Sequence, residues 1–320
     1  MTKSFSVGDI ASLAGRVYFI TGANTGLGLE TCKVLASKGA TVVMAFRNPK
    51  KSKNSVETVK GIASKNGGKV EEVILDLGDL SSVKNAAEDF RSKNLPLHCL
   101  INNAGVMMCP FGETVDGLER QFGVNHIGHF ALTCYLFPLL KETAKTPEDD
   151  VRIVNLTSSY HAKGPRDGIL FDNLLWDDAR EPKYAPGLAY GHSKFANILF
   201  TEELNNRLGE NSNITCNAVH PGFVDTELTR HVSNGNPFMW LGVKAFKKFN
   251  GALNVHDGAL TQLYCATAPD VIEKKYRGQY FVPIAKWSEL DPKAPKTTDE
   301  LRKKLWETSE EIIGTKFSVE

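Results

Sequence analysis

Apolar and polar positions follow two alternating patterns along the chain. Short apolar runs rich in β-branched residues are separated by longer segments whose apolar residues recur at helical spacing. The apolar runs predict strands over residues 17–21, 41–46, 70–76, 97–102, 151–157 and 214–220, and the segments between them predict helices over 27–38, 52–64, 81–93, 116–142 and 189–208. Strands separated by single helices form parallel β-α-β units with right-handed crossovers. The pattern therefore predicts an α/β fold, a doubly wound parallel sheet of the Rossmann type with helices on both faces.

No repeat or low-complexity linker interrupts this pattern, so we expect a single domain. Its expected parts are an N-terminal tail (1–13), a substrate-loop insert (228–256) and a C-terminal extension (284–320) within the whole chain (1–320). A second insert covers residues 160–187, and a further helix is predicted near 298–312. Both inserts follow the carboxyl ends of predicted strands, which is where ligands bind in open α/β sheets.

Charge and cysteine usage exclude several classes of function. Lys and Arg number 38 against 37 Asp and Glu, so a net charge of +1 gives no reason to expect nucleic-acid binding. The six cysteines contain no C-x-x-C pair, which argues against a zinc site or a redox dithiol and favours a reducing compartment. His126 and His129 have no acidic or Cys partner nearby, so packing is expected rather than metal binding. Neither a signal peptide nor a spanning segment is evident, and a cytoplasmic location is predicted.

A glycine-rich turn follows the first predicted strand. It reads Gly22-Ala23-Asn24-Thr25-Gly26-Leu27-Gly28, and a predicted helix begins within it. Glycines let the backbone turn tightly and approach a pyrophosphate, while the helix N-terminus offers free N–H groups to its negative charge. The strand-turn-helix context therefore predicts a dinucleotide site whose contacts include Gly22, Asn24, Thr25, Gly26, Leu27 and Gly28.

Four motifs in order carry a family resemblance. The G-x-x-x-G-x-G turn is followed by Asn102-Asn103-Ala104-Gly105, by Tyr190-x-x-x-Lys194 and by Pro221-Gly222. Together they resemble the short-chain dehydrogenase/reductase family over about residues 14–283, and the phrases at 122–126 and 220–222 resemble its retinol-dehydrogenase-like branch. The resemblance implies further cofactor contacts at Asp76, Leu77, Asn102, Ala104, Gly105, Tyr190, Lys194, Val224 and Thr226. Asp76 could equally be a strand-end cap.

The end of the second strand indicates which nicotinamide cofactor is used. An acid there would accept hydrogen bonds from the ribose 2′-hydroxyl, whereas a basic residue would pair with a 2′-phosphate. This strand ends at Arg47, with Lys50 and Lys51 close behind and no acid. The planar fork of Arg suits a phosphate, so NADP is predicted, the alternative being a solvated surface arginine. The other basic position of the family is Thr25 here, so Arg47 must carry most of the preference.

Tyr190 and Lys194 lie four residues apart in a predicted helix and so share one face. Hydride transfer to a carbonyl leaves an alkoxide that must be protonated. A free tyrosine titrates near pH 10, and a pKa of about 7 needs about 4 kcal/mol of phenolate stabilisation, which a Lys ammonium and a cationic nicotinamide can supply. The resemblance assigns the substrate oxygen to Ser158, with Ser159 as competitor. It implies that Asn125 holds a water molecule in a proton relay. The alternative is an Asn whose side chain is hydrogen-bonded to the backbone of its own helix.

The predicted substrate is a lipophilic carbonyl or alcohol. Residues 238–249 place apolar side chains at helical spacing with lysines between them. Three interpretations compete: a lid over such a substrate, a plain core helix, or a basic face in weak contact with a membrane surface. Relatives in this branch often carry a membrane anchor that is not evident here, and family members often pair through the helices at 116–142 and 189–208, which allows a homodimer. The rival hypothesis is a non-catalytic NADP(H)-binding regulator on the same fold.

Overall fold

A computed structural model describes residues 4–146, 150–176, 183–224 and 252–319 of the chain. The strands are β1 (Val17–Thr21), β2 (Thr41–Phe46), β3 (Lys69–Ile74), β4 (Cys99–Asn102), β5 (Val151–Leu156), β6 (Ile214–Val219), β7 (Tyr280–Val282) and β8 (Lys286–Ser288). The helices are α1 (Gly26–Ser37), α2 (Pro49–Lys65), α3 (Leu80–Ser92), α4 (Arg120–Phe122), α5 (Gly128–Thr143), α6 (Pro186–Leu208), α7 (Val255–Thr267), α8 (Asp270–Glu273) and α9 (Asp299–Ile313). A π-helical turn, Gly123–Ile127, joins α4 to α5 without a break.

The eight strands of the described residues form one sheet in the order β3-β2-β1-β4-β5-β6-β7-β8. All neighbouring pairs are parallel except β7 and β8, which pair antiparallel. The strand order reverses between β1 and β4. In doubly wound sheets this reversal opens a crevice at the carboxyl ends of the strands, where ligands bind. The predicted fold class is confirmed.

The sheet is buried on both faces because its strands are apolar on both sides. In β1, Val17 and Phe19 pack into one hydrophobic cluster with α3, α5 and α6, while Tyr18 and Ile20 pack into a second with α1, α2 and α7. Such continuous apolar strands are the mark of a parallel sheet covered by helices on both sides. The N-terminal residues also contribute, since Ile10 and Leu13 are buried in the second cluster.

Helix α9 lies against the outer face of α6. Thr298 caps its first turn, because the Thr298 hydroxyl accepts a hydrogen bond from the Leu301 N–H. Arg302 pairs with Glu202 at 3.0 Å, and the Arg207 guanidinium lies 4.4 Å from the centre of the Trp306 ring. The predicted C-terminal helix is therefore present, and α6 is enclosed between the sheet and α9.

Several boundaries differ from the sequence prediction. The strand predicted at 97–102 begins at Cys99, and just before it the His98 ring accepts a hydrogen bond from the Val17 N–H. The helix predicted from 116 begins at Arg120, where the Glu119 carboxylate accepts hydrogen bonds from two N–H groups of the first turn. Strands β7 and β8 were not predicted, since runs of three residues carry too little periodicity. None of the helices in the described ranges combines the length and apolar character that a membrane crossing needs.

Candidate active site

The glycine-rich turn folds as a closely packed cradle at the carboxyl end of β1. Gly22 and Gly26 have φ angles of +64° and +52°, which favour glycine. A Cβ placed on Gly28 would lie 2.3 Å from the Gly22 carbonyl oxygen, so no side chain fits there. Thr25 is the N-cap residue of α1 but makes no side-chain cap bond. The backbone is thus free to approach a ligand at this turn.

A threonine hydroxyl ties this turn to the strand on the other side of the crevice. Thr21 Oγ1 accepts hydrogen bonds from the backbone N–H groups of Asn103 and Ala104, each at 2.9 Å. Asn103 Nδ2 in turn donates to the Thr21 carbonyl at 2.8 Å. The loop after β4, with Ala104 and Gly105, is therefore fixed beside the glycine-rich turn as the sequence motifs predicted.

The end of β2 carries an exposed basic group. The side chain of Arg47 is 74% exposed and its guanidinium lies 3.8 Å from the carboxylate of Asp76. Lys50 and Lys51 lie in the first turn of α2, which contains no acidic residue. The Asp76 carboxylate also accepts a hydrogen bond from Gly78 N–H. Asp76, the predicted adenine contact, is therefore held in a local turn of the backbone. The geometry leaves Arg47 free to meet an anion.

Other predicted cofactor residues have varied surroundings. Asn102 is buried, and its side-chain amide donates to Thr133 and Asn155. Leu77 and Val224 are buried apolar residues beside the crevice. Thr226, together with the 238–249 segment, lies outside the described residues.

Ser158 and Tyr190 come together at the carboxyl end of β5. The Ser158 hydroxyl oxygen accepts a hydrogen bond from Tyr160 N–H at 3.2 Å, and this hydroxyl lies near enough to Tyr190 to influence the pKa of its phenol. Ser159, the competitor, is exposed. Burial raises the pKa of Tyr190 to about 12. The neighbouring Ser158 hydroxyl has the opposite, smaller effect and lowers this pKa. A nearby cation is therefore needed to bring this phenol toward neutral pH.

Lys194 is the buried cation one turn along α6. Its side chain is 4% exposed, and Nζ donates to the Leu156 carbonyl at 3.0 Å and lies 5.8 Å from the centre of the Tyr190 ring. Burial lowers the pKa of Lys194 to about 7, because desolvation penalises its charged form. The ammonium can therefore gain or lose a proton near physiological pH.

Asn125 lies at the centre of the π-helical turn and reaches both sides of the site. Its side chain exchanges two hydrogen bonds with the backbone of Val106, at 2.8 and 2.9 Å, and donates to Ser193 Oγ at 2.9 Å. It does not bond the backbone of its own helix, which was the alternative. An added Cβ at Gly105 would lie 3.1 Å from Asn125 Oδ1 and 3.6 Å from Lys194 Nζ, so these groups share one wall.

Comparison with known proteins decides the family. The model for "short chain dehydrogenase" matches residues 16–169 and 179–237 of the chain. The chain belongs to the short-chain dehydrogenase family. It is thus an oxidoreductase of a family that uses NAD(P)(H), and the sequence resemblance is confirmed.

Relatives of this short-chain dehydrogenase include retinol dehydrogenases. It is 40% identical to mouse retinol dehydrogenase 12 over 320 residues, which covers 98% of the chain and 93% of the relative. It is 38% identical to the chloroplastic short-chain dehydrogenase TIC 32 A of Brassica napus over 297 residues, 92% of the chain and 87% of the relative. A crystal structure from Mycobacterium paratuberculosis matches with a TM-score of 0.72 and 32% identity over 99% of this chain and 100% of that one.

Sequence reasoning missed two groups in the site of this short-chain dehydrogenase. The Tyr160 ring lies 5.8 Å from the Tyr190 ring and is 38% exposed, so it forms a wall beside the acid/base candidate. His129 was interpreted as packing, yet both of its ring nitrogens are hydrogen-bonded. The signal for His129 was its four-residue spacing from Asn125, which places both on one helix face.

Proposed function

We propose that the chain is an NADP(H)-dependent oxidoreductase that interconverts a lipophilic carbonyl and its alcohol, with Tyr190 as acid/base. The observation that carries the proposal is the position of the Tyr190 ring 5.8 Å from the buried Lys194 ammonium, which is itself hydrogen-bonded to the end of β5, two residues before Ser158. Three groups of different chemistry meet at the carboxyl edge of the sheet, beside the glycine-rich cradle. A purely structural helix face would not require a lysine to be buried, because burying a charge is costly.

Each side chain has a distinct task in this proposal. The nicotinamide ring supplies or accepts the hydride. Ser158 orients the substrate oxygen by a hydrogen bond, and Tyr190, protonated because burial raises its pKa, donates the proton that the developing alkoxide needs. Lys194 stabilises the phenolate that remains, since its ammonium is held close by the Leu156 carbonyl.

The residues of the cradle fit a dinucleotide. The close approach of Gly28 to Gly22 leaves the turn without side chains, and its N–H groups at the start of α1 suit a pyrophosphate. Preference for NADP rests on Arg47, with Lys50 and Lys51 supporting it, because a 2′-phosphate can bind a guanidinium in two-point geometry. Asp76 at 3.8 Å is loosely placed and would remain as a partner on the far side of the guanidinium.

A lipophilic substrate is supported by apolar side chains near the site. Tyr160 and Phe111 are 38% and 48% exposed, and the Phe111 ring lies 5.3 Å from that of Tyr184, which precedes the catalytic helix by two residues. Exposed aromatic groups around a polar centre are typical of a pocket for an apolar ligand. The relatives named retinol dehydrogenase favour the same class.

The test is a comparison of substrates and cofactors with the purified chain. We expect NADPH oxidation with retinal and other long apolar aldehydes, at a higher kcat/KM than with short aldehydes and with NADPH preferred over NADH. Tight NADPH binding without turnover of any carbonyl would contradict this and support the regulator. A cytoplasmic location and pairing through α5 and α6 are further proposals, to be checked by cell fractionation and by light scattering. Helix α9, which covers part of α6, would have to leave room for a partner.

A further inference from the structure

His129 lies at the junction of the cofactor turn and the proposed catalytic helix. It is the second residue of α5, is 2% exposed, and uses both ring nitrogens. Nε2 is 2.9 Å from Thr21 Oγ1, and Nδ1 is 3.0 Å from the backbone carbonyl oxygen of Asn125. Each contact is buried. One imidazole therefore bridges the end of β1 and the π-helical turn.

The contacts of Thr21 determine which nitrogen of His129 carries the proton. A hydroxyl has two acceptor sites and one proton. Thr21 Oγ1 already accepts hydrogen bonds from the N–H groups of Asn103 and Ala104, so its own proton must be donated to His129 Nε2. His129 Nδ1 is then the protonated nitrogen and donates to the Asn125 carbonyl. Burial lowers the pKa of His129 to about 3, with the Lys194 charge acting in the same direction, so the ring is neutral.

The bond to the Asn125 carbonyl falls where the helix changes its repeat. In the π-helical turn, Gly128 N–H donates to the Gly123 carbonyl, five residues back instead of four. Such turns occur frequently at functional sites because they displace carbonyl groups from the regular ladder. The imidazole N–H of His129 engages the carbonyl at the centre of this turn and fixes its orientation.

The hydrogen bonds continue in one direction toward Tyr190. Asn125 Nδ2 donates to Ser193 Oγ at 2.9 Å, and Ser193 Oγ donates to the Tyr190 carbonyl at 2.8 Å. Thr21, His129, Asn125 and Ser193 thus each donate to the next residue, with Asn125 accepting through its backbone carbonyl and donating through its side-chain amide, and the series ends at the backbone carbonyl of Tyr190. Buried polar networks in which every member is satisfied rigidify the structure around them.

We propose that His129 is a positioning residue, which fixes the π-helical turn at Asn125, whose side chain shares a wall with Lys194, and couples this placement to the strand end that carries the cofactor turn. The inference rests on the proposed function, since the position matters through catalysis at Tyr190. His129 touches neither of the expected reactants. Its effect must therefore appear in turnover more than in cofactor binding.

Two conservative substitutions separate the two contacts of the ring. In His129→Asn, the amide nitrogen takes the place of Nδ1 and can still donate to the Asn125 carbonyl. In His129→Gln, the amide reaches the position of Nε2 near Thr21 and the donor to Asn125 is lost. We expect His129→Gln to lower kcat at least about tenfold with NADPH affinity within about threefold of wild type, and His129→Asn to recover most of that loss.

His126 provides the matched control. It is buried on the same turn, but its Nε2 contacts Ser309 on α9 instead of the cofactor strand. His126→Asn and His126→Gln should lower thermal stability and leave kcat and KM close to wild type. If these variants lose turnover as His129→Gln does, the effect is general destabilisation and the positioning role is overturned. Equal kcat in His129→Gln and wild type overturns it as well.

A spectroscopic readout is independent of turnover. Nitrogen NMR of histidine-labelled wild-type protein should show His129 protonated on Nδ1 and unprotonated on Nε2 throughout the neutral pH range. The opposite tautomer would overturn the inference while leaving the proposed function untouched. A wild-type chain that binds NADPH but reduces no carbonyl would instead remove the proposed function, and the positioning role with it.

Discussion

Lys194 and Leu156 are joined by a hydrogen bond of 3.0 Å, in which the buried ammonium nitrogen donates to the backbone carbonyl at the end of β5. The strand that ends in the Ser158 turn therefore also holds the lysine of the catalytic helix. The same carbonyl accepts a second bond from Asn197, one helical turn further on. Lys194 is thus fixed to the sheet rather than to a loop, with Asn197 bonded at the same point.

Replacing Lys194 should stabilise the fold while abolishing turnover. Its folded pKa of about 7 lies below the ordinary value near 10.4, so between these values the unfolded chain binds more protons and stability rises with pH. We expect Lys194→Met to raise Tm near neutral pH by roughly 2 °C or more without cofactor, and to flatten the rise in stability toward about pH 10. Thermal unfolding of both proteins between about pH 7 and pH 10 measures this pH dependence of stability. The exposed Lys84→Met is the control, and a matching response there would contradict the assignment.

Tyr190→Phe should separate chemistry from cofactor binding. The substitution keeps the ring and the buried helix but removes the hydroxyl, the proposed proton donor. We expect NADPH affinity within a few-fold of wild type and a fall in kcat of roughly 10²–10⁴, the usual worth of a positioned acid/base. Fluorescence titration and steady-state kinetics check both values. Tyr276→Phe, which is remote from the site, should leave both unchanged, and near-normal turnover in Tyr190→Phe would rule out the mechanism.

Arg47→Asp should change the choice of cofactor. Loss of a charge-assisted contact with a 2′-phosphate costs about 1.5–3 kcal/mol, so KM for NADPH should rise at least about tenfold and its advantage over NADH should narrow. Arg91→Asp makes the same charge change at an exposed position on α3. An NADPH/NADH ratio that both variants leave as in wild type would remove Arg47 from the site.

The cradle predicts opposite outcomes for two Gly→Ala substitutions. At Gly28 the new Cβ would lie 2.3 Å from the Gly22 carbonyl oxygen, whereas at Gly61 in α2 no atom lies within 4 Å. Gly61→Ala should therefore stabilise the chain by about 0.5–1 kcal/mol, the ordinary helix preference. Gly28→Ala should lower both stability and NADPH affinity. Chemical denaturation and NADPH titration provide the comparison, and normal NADPH binding by Gly28→Ala would contradict the cradle.

The position of the Tyr160 ring beside Tyr190 predicts that activity depends on substrate size. Tyr160→Ala should reduce kcat/KM for long apolar aldehydes more than for short ones, because a buried aromatic contact is worth at most about 3 kcal/mol and only large substrates reach it. Kinetics with an aldehyde series measure the effect. Equal losses for all lengths would point to a structural role for Tyr160. The corresponding lid hypothesis for 238–249 stays a prediction, since that segment lies outside the described residues.

The sequence predicted those parts of the molecule that depend on local patterns. Strands β1 and β2 have the predicted bounds, and the Thr298 cap places α9 within one residue of its predicted position. The cradle and the Tyr190–Lys194 pair follow from motifs with fixed spacing. Ser158 was preferred over Ser159 by alignment, and its role stays a prediction.

What the sequence left open depends on contacts between distant residues. No local pattern shows that a histidine at 129 meets a threonine at 21, because these residues are 108 positions apart and meet only through the sheet order. The depressed pKa of Lys194 likewise arises from burial by several elements. The π-helical turn was missed because it adds only one residue to a turn of the helix. This changes the spacing of apolar residues too little to be visible in the sequence.

The enclosure of α6 between the sheet and α9 has an evolutionary consequence. Its residues from Ala189 to Leu199 are buried on every face, so the helix that carries Tyr190 and Lys194 tolerates little change. Tyr160 and Phe111, by contrast, are partly exposed and lie in short segments outside the long helices and strands, where substitution is accepted more readily. Selection can therefore alter the residues that border the site more readily than the helix that carries Tyr190 and Lys194.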